Sequence, residues 1–314
     1  MNGLHLLSTG RCLPARAVPN DALRQYVDTS DEWIASRTGI RQRYFCGENE
    51  GNIALAAGAA RRALDRAGIA PDEIGLCIVA TFTPEHAAPS VACMVQRALG
   101  LPEDCPAFDV NAACSGFLYS LQIASAMLPF QSRPYALLIG SEVISRMLDM
   151  TDRGTCVLFG DGAGAAVVAC SDRHPFVSML GARGDSEALG CPGWGADGPH
   201  TVYMDGKAVF RFAVKTIPRC IDGVLNKAGL TLADVDHVVC HQANARIIRH
   251  VERRLHAPEG QFYCNVDRYA NTSAASIPLA LDEMNERGLL TPGKRLLCVG
   301  FGAGFTWGGA LLTL

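Results

Sequence analysis

Cys114 stands in the run DVNAACSGFLYSLQIASAML, Asp109 to Leu128, between two alanines and a Ser-Gly pair. Apolar residues before it read as the end of a buried strand, and Phe117 to Leu128 repeats its apolar residues at the helical period. The thiol is therefore expected at a helix N-terminus. There the helix dipole and unpaired backbone N–H groups would draw its pKa below the usual value of about 8.5. A thiolate in that place is a nucleophile. Small neighbours leave room for a carbonyl, and backbone N–H groups can hold the oxyanion its attack creates. Taken alone, a cysteine in a chain that has 13 of them reads first as a buried structural thiol.

The elements that must position this thiol come from an internal duplication. ALDRAGIAPDEIGLCIV, Ala63 to Val79, resembles VLNKAGLTLADVDHVVC, Val224 to Cys240; both read as helix, Ala-Gly stop, acidic turn and buried strand. Nearly the same offset relates LLIGS, Leu137 to Ser141, to LCVGF, Leu297 to Phe301. Two similar α/β halves follow, 1–168 with the nucleophile and 169–314. Carrying Cys114 forward by that offset reaches NTSAAS, Asn271 to Ser276, which also precedes an apolar helix. If the pseudo-symmetric helix starts face each other, Asn271 and His241, at the end of HVVCHQAN, converge on Cys114. Separately, His241 reads as a packed or surface histidine and Asn271 as a helix cap.

Composition bounds the function. Hydrophobic residues make up 49% of the 314 and charged ones 19%, enough to fill a large core, and disorder is not expected. Apolar runs are broken before the length a bilayer crossing needs, and Met1 to Pro14 lacks the order of a signal peptide, so a cytoplasmic protein is expected, with no membrane partner. The cysteines form no C-x-x-C pair, and most are expected to be buried thiols; no metal site is apparent. A net charge of -3 leaves no generally basic surface for nucleic acid.

NAACSGF, HQANAR, NTSAASIP and GFGAGFTWG, with TSDEWIASRTGI near the start, together resemble the β-ketoacyl-acyl carrier protein synthase III family of thiolase-fold condensing enzymes, from the first strand to the last residue. The resemblance implies a five-layered αβαβα fold from two duplicated halves, a homodimer, and no cofactor, coenzyme A thioester being substrate. It implies that Cys114 carries the acyl group while His241 and Asn271 bind the extender thioester. Two donors on one thioester oxygen stabilise the enolate formed as malonyl loses carbon dioxide. That carbanion attacks acyl-Cys114 and releases a 3-oxoacyl carrier protein. His241 should then be neutral and donate from one ring nitrogen. The family places oxyanion donors at Cys114 N–H and at Ala303, where glycine is frequent; a backbone donor tolerates alanine if φ stays negative.

DTSDEWIASRTGIRQR, Asp28 to Arg43, reads as a helix started by Thr29 or Ser30 and ended by Gly39. By resemblance Trp33 and Arg37 flank the adenine of coenzyme A, with Arg153 stacking opposite. Arg211, Lys215 and Arg219 form one basic helical stripe, and Arg246, Arg249 and Arg253, with Arg254 adjacent, a second; a solvated face is the default reading. The family docks its acidic carrier protein on basic residues at Arg211, Arg246, Arg253 and Arg254. The stripes lack interleaved aromatics, so nucleic acid is not an expected partner. Ala88 replaces a common aromatic before Pro-Ser, which implies a deeper acyl pocket and longer or more branched primers than acetyl.

The reading is thus a decarboxylative condensing enzyme that joins an acyl-coenzyme A primer to malonyl-acyl carrier protein and starts type II fatty acid synthesis. The same acyl-cysteine chemistry would serve polyketide or quinolone pathways or simple acyl transfer. A silent partner subunit would be expected to lose Cys114, and a cysteine hydrolase would need no malonyl donor.

Overall fold

The computed structural model describes residues 3–193 and 195–314. In chain order the first half contributes β1 (Gly3–Cys12), then a ribbon of β2 (Arg16–Pro19) and β3 (Gln42–Phe45) with helix α1 (Asp31–Thr38) between its strands. It continues with α2 (Asn52–Ala67), β4 (Ile74–Ala80), α3 (Val91–Leu99), β5 (Ala107–Val110), α4 (Gly116–Met127), β6 (Tyr135–Glu142) and β7 (Gly162–Ser171). The second half begins with β8 (Phe176–Asp185) and a short ribbon of β9 (Leu189–Gly190) and β10 (Tyr203–Met204). There follow α5 (Gly206–Ala228), β11 (His237–Cys240), α6 (Ala245–Arg254), β12 (Phe262–Tyr263), α7 (Val266–Tyr269), α8 (Ser276–Glu286), β13 (Arg295–Gly302) and β14 (Gly304–Thr313).

The matched segments fold alike because they carry the same signals. Helices α2 and α5 bury one apolar face and stop at left-handed Gly68 and Gly229, whose N–H groups bond back to the last turn. Strands β4 and β11 are almost wholly buried, as strands with parallel neighbours and helices on both faces must be. The sheets repeat one order, β1-β7-β6-β4-β5 and β8-β14-β13-β11-β12. In each, the last three strands run parallel and the other pairings are antiparallel.

Five layers result. α2 and α3 cover the outside of the first sheet, α5 and α6 cover the outside of the second, and α4 and α8 lie between the sheets. The fold is the thiolase-like αβαβα arrangement that the family resemblance implies, built from the two halves that the duplication predicts. The expected division at 168/169 needs correction: it falls inside β7, whose pairing with β1 continues through Ser171, and the chain crosses between sheets at 172–175. A second correction concerns apolar length. Ala113–Phe130 is long and apolar enough to span a bilayer, although half of it is buried inside the protein, where Phe117, Leu118 and Leu121 join the central core. Helix α1 starts at Ser30, whose Oγ accepts the Trp33 N–H, and ends at Gly39.

The central layer leaves little room at its closest crossing. Gly140 of β6 sits against the backbone of Ala274, and a Cβ there would collide with the Ala274 carbonyl. Gly140→Ala should therefore cost about 1–3 kcal/mol, the usual range for an overpacked core. Urea unfolding of wild type and variant measures the loss; equal midpoints would contradict the close approach.

Candidate active site

Cys114 occupies a 3₁₀ turn, Ala113–Ser115, that runs directly into α4. Ala113 adopts the left-handed region, φ 46°, a sparsely populated conformation for alanine that the surrounding bonds must hold. The Ser115 and Thr306 hydroxyls lie 2.7 Å apart, each reaches the Ala112 carbonyl at 2.8 Å, and Thr306 also stands 3.2 Å from Ala303 O. This small network ties the thiol's turn to the loop joining β13 and β14. Gly302 permits the approach, since a Cβ there would come within 2.5 Å of Cys114 N. Ala303 lines the same cavity as Cys114, and its φ is not positive, so alanine fits this position without strain.

His241 follows the last residue of β11, with its N–H bonded to Val299 O at 2.7 Å and its ring edge-on to Phe301. Ser276 Oγ accepts the Gln242 N–H at 3.3 Å and lies 2.7 Å from His241 Nδ1. A Ser276 hydroxyl that donates to Nδ1 leaves the ring's own proton on Nε2, the tautomer that a donor into the cavity requires. Asn271 is oriented as firmly: its Oδ1 accepts the Ser273 N–H at 2.9 Å, so its NH₂ remains for a ligand. Asn271 is not a helix cap: Thr272 caps the following 3₁₀ turn and Ala275 precedes α8, and the Asn271 bond is a local one to Ser273 N–H. Cys114, His241 and Asn271 come from three separated motifs and line a single cavity of about 810 Å3.

Burial decides the protonation states. It pushes His241 down to about 3, so the ring is neutral, as a donor requires. It also pushes the Cys114 thiol up to about 12; Glu142 adds to the rise, while Ser273 and the residue's own N–H oppose it. The expected thiolate is therefore not the resting state, because desolvation outweighs the pull of the helix start. Glu142 at the end of β6 is also buried, and burial raises it to about 7 against hydrogen bonds from Thr83, Phe82 N and Thr81.

The peripheral residues separate. Arg37 and Arg153 each lie over the Trp33 ring, with the guanidinium carbon 4.5 Å from its centroid, and Arg153 also donates to Asp28 O. A base stacking on Trp33 from the Arg153 side would replace that guanidinium. Arg246, Arg253 and Arg254 are exposed on α6 and Arg211 on α5; Arg254 bonds Val214 O and links the two helices. Ala243, Asn244 and Ile247 line the cavity mouth, so the α6 stripe borders it. Ala88 does not line the cavity of its own chain: it is exposed on the loop after β4, and the apolar wall is built by Phe82, Leu189, Val202, Met204 and Phe210. All 13 cysteines are free, and seven are buried. Ser276, Ser273, Thr306 and Glu142 escaped the sequence reading. The two serines lie within NTSAAS and Thr306 within GFGAGFTWG, but nothing local marks which hydroxyls face the site; Glu142 is the last residue of β6, next to LLIGS, and its residue type alone does not mark it.

A thiol facing two hydrogen-bond donors between duplicated halves defines a thiolase-like condensing enzyme. Family models described as 3-oxoacyl-[acyl-carrier-protein] synthase III match residues 108–184, and as its C-terminal part residues 225–314. A β-ketoacyl-[acyl-carrier-protein] synthase III of Rhizorhabdus wittichii is 49% identical over 98% of both chains. The crystal structure of 3-oxoacyl-[acyl-carrier-protein] synthase III from Aquifex aeolicus is 41% identical, with a TM-score of 0.94 over 99% of this chain and 100% of that one. A priming β-ketosynthase of the R1128 polyketide pathway is 36% identical, with a TM-score of 0.92 over 99% and 96%. The chain belongs to the 3-oxoacyl-[acyl-carrier-protein] synthase III family and is a condensing acyltransferase of fatty acid synthesis.

Two expected outcomes follow from the histidine's setting. Ser276→Ala frees the ring and its tautomer and should slow malonyl decarboxylation about tenfold, equivalent to ~1.4 kcal/mol, while acylation of Cys114 changes little; separate assays of the half-reactions decide. Between about 3 and 6.5 the folded chain holds His241 neutral while the unfolded chain protonates it. Stability must fall as pH drops through that window, and His241→Asn should flatten the slope in unfolding measured against pH.

Proposed function

We propose that the chain transfers an acyl group from acyl-coenzyme A to Cys114 and condenses it with malonyl-acyl carrier protein, with carbon dioxide released, to start type II fatty acid synthesis. The observation that carries this is that the His241 ring, with Ser276 at its Nδ1, and the Asn271 amide, with its Oδ1 taken by Ser273 N–H, line one cavity with the thiol. In this reading both donors hold the malonyl thioester oxygen as it becomes an enolate, and decarboxylation needs no strong base. Cys114 N–H and Ala303 N–H receive the oxyanion formed on the acyl carbonyl, and the chemistry calls for no cofactor or metal.

Trp33, Arg37 and Arg153 receive the nucleotide of coenzyme A, an aromatic face and two cations suited to adenine and phosphate. Arg211, Arg246, Arg253 and Arg254 steer the acidic carrier protein to the cavity mouth. The enzyme acts as a cytoplasmic homodimer. Ala88 lies outside the cavity of its own chain, so it borders an acyl pocket only where a second copy supplies it. The polyketide priming enzyme supports a second reading, the same chemistry in a specialised pathway.

Intact-protein mass spectrometry tests the reaction. Acyl-coenzyme A should leave an adduct on wild type and none on Cys114→Ala, and malonyl carrier protein should discharge it as 3-oxoacyl carrier protein. His241→Ala and Asn271→Ala should still acylate but lose about 10²–10³ in condensation, as when an oxyanion donor is removed. An adduct that leaves only on water would sink the proposal in favour of hydrolysis. Ala88→Phe should narrow the primers accepted by a dimer towards acetyl; an unchanged range over an acyl-coenzyme A panel would remove Ala88 from the pocket.

A further inference from the structure

The loop that carries Ala303 is held at one end by hydrogen bonds and at the other by rings. The β13–β14 ladder closes at Gly302↔Thr306, which leaves residues 303–305 as its turn. On the opposite edge, the pairing of β14 with β8 shifts register between Gly304↔Asp185 and Thr306↔Ala182, and Phe305 falls in that irregularity. Gly304 has φ 132°, a backbone conformation that favours glycine. Thr306 anchors the turn to the nucleophile through the Ala112 carbonyl and the Ser115 hydroxyl. The second anchor is the side chain of Phe305.

That ring is buried and lies on the ring of Phe212 from α5, with centroids 4.0 Å apart and planes 16° from parallel. Phe212 also meets Phe301, edge-on at 6.2 Å, and Trp307 at 5.9 Å, which are register partners in the hairpin. Arg183 of β8 caps the stack, its guanidinium carbon 5.5 Å from the Phe212 centroid and 5.3 Å from that of Phe305. Asp185, the register partner of Gly304, pairs with this guanidinium at 3.5 Å. A face-to-face ring pair under a cation fixes both the position and the plane of Phe305, which an aliphatic side chain on α5 would not do. Phe212 itself does not line the cavity, whereas Phe210 and Ala303 do.

We propose that Phe212 is a positioning residue for acyl transfer: by clamping Phe305 it fixes the 303–305 turn, and with it the Ala303 N–H, beside the thiol's turn. This rests on the reading above in which Ala303 N–H receives the oxyanion of the acyl carbonyl. A small misplacement of such a donor costs rate while leaving substrate binding intact. The malonyl site is held by other means. His241 is fixed by Ser276 and by its N–H bond to Val299 O, Asn271 by Ser273 N–H, and the Phe301 ring beside His241 belongs to a paired strand residue. Loss of the stack should therefore reach the acyl carbonyl and spare decarboxylation.

The test is quenched-flow mass spectrometry of acyl-Cys114 formation over a range of acetyl-coenzyme A concentrations, with malonyl-carrier decarboxylation measured in parallel. Phe212→Leu stays apolar but removes the ring face. Its limiting acylation rate should fall about tenfold, less than the ~10²–10³ lost with an oxyanion donor itself. The half-saturating acetyl-coenzyme A concentration and the decarboxylation rate should not change. Phe212→Tyr keeps the ring and should recover most of the rate. Arg183→Met removes only the exposed cation and should lower the limiting acylation rate about two- to fivefold; it carries the test should Phe212→Leu fail to fold. Wild-type acylation in either variant, equal losses in both half-reactions, a loss confined to half-saturation, or no recovery with tyrosine would overturn the positioning role. Absence of any wild-type adduct would instead overturn the acyl-enzyme reading.

Discussion

Each of the two sheets has an inner face that it cannot bury alone, and both faces close on the same pair of helices. Residues of both halves share that layer: Leu76 and Ile78 from β4, Leu118 and Leu121 from α4, Ile277 and Leu281 from α8, Leu296 and Leu312 from β13 and β14. At about 1.5–3 kcal/mol for each large aliphatic side chain withdrawn from water, this shared layer outweighs any single polar contact in the protein. Its geometry brings the starts of α4 and α8 together at the pseudo-symmetric interface. The site is therefore a by-product of how two halves seal one core.

Duplication also explains why the two turns resemble each other and do different things. Asn111 Oδ1 accepts the Ala113 N–H, and 160 residues on, Asn271 Oδ1 accepts the Ser273 N–H. Residues 113 and 273 are both left-handed. On this shared backbone one turn carries a thiol, and the other carries an oriented amide and a hydroxyl. The glycine at 302 and the Thr306 bonds then bring the loop after β13 against the thiol's turn. Small residues at these crossings are what close approach of backbone demands.

Desolvation sets the chemistry on both sides of the nucleophile. The same dry surroundings that keep His241 neutral and able to donate also hold the thiol protonated and raise Glu142 into the physiological range. A site that binds thioester oxygens through hydrogen bonds must exclude water, and excluding water makes an unassisted thiolate costly.

Local pattern determined much of this protein. The strand and helix periods, the glycine stops at Gly39, Gly68 and Gly229, and the repeated segments disclosed two α/β halves, and the helix start at Cys114 with the facing NTSAAS turn disclosed the convergence of Cys114, His241 and Asn271. These are properties of short stretches and of their spacing. Tertiary structure alone decided the rest. The ionisation of Cys114 depends on surrounding apolar atoms from both halves, so its local helix start pointed the wrong way. Ser276 and Glu142 acquire meaning only through what they face, 35 residues from His241 in one case and one residue past the matched LLIGS segment in the other. Ala88 was read as part of a cavity that its own chain builds without it, because which loop residues reach a cavity is not written in residue type. Hydrogen-bond partners and desolvation are sums over distant neighbours, and such sums exist only once the chain has folded.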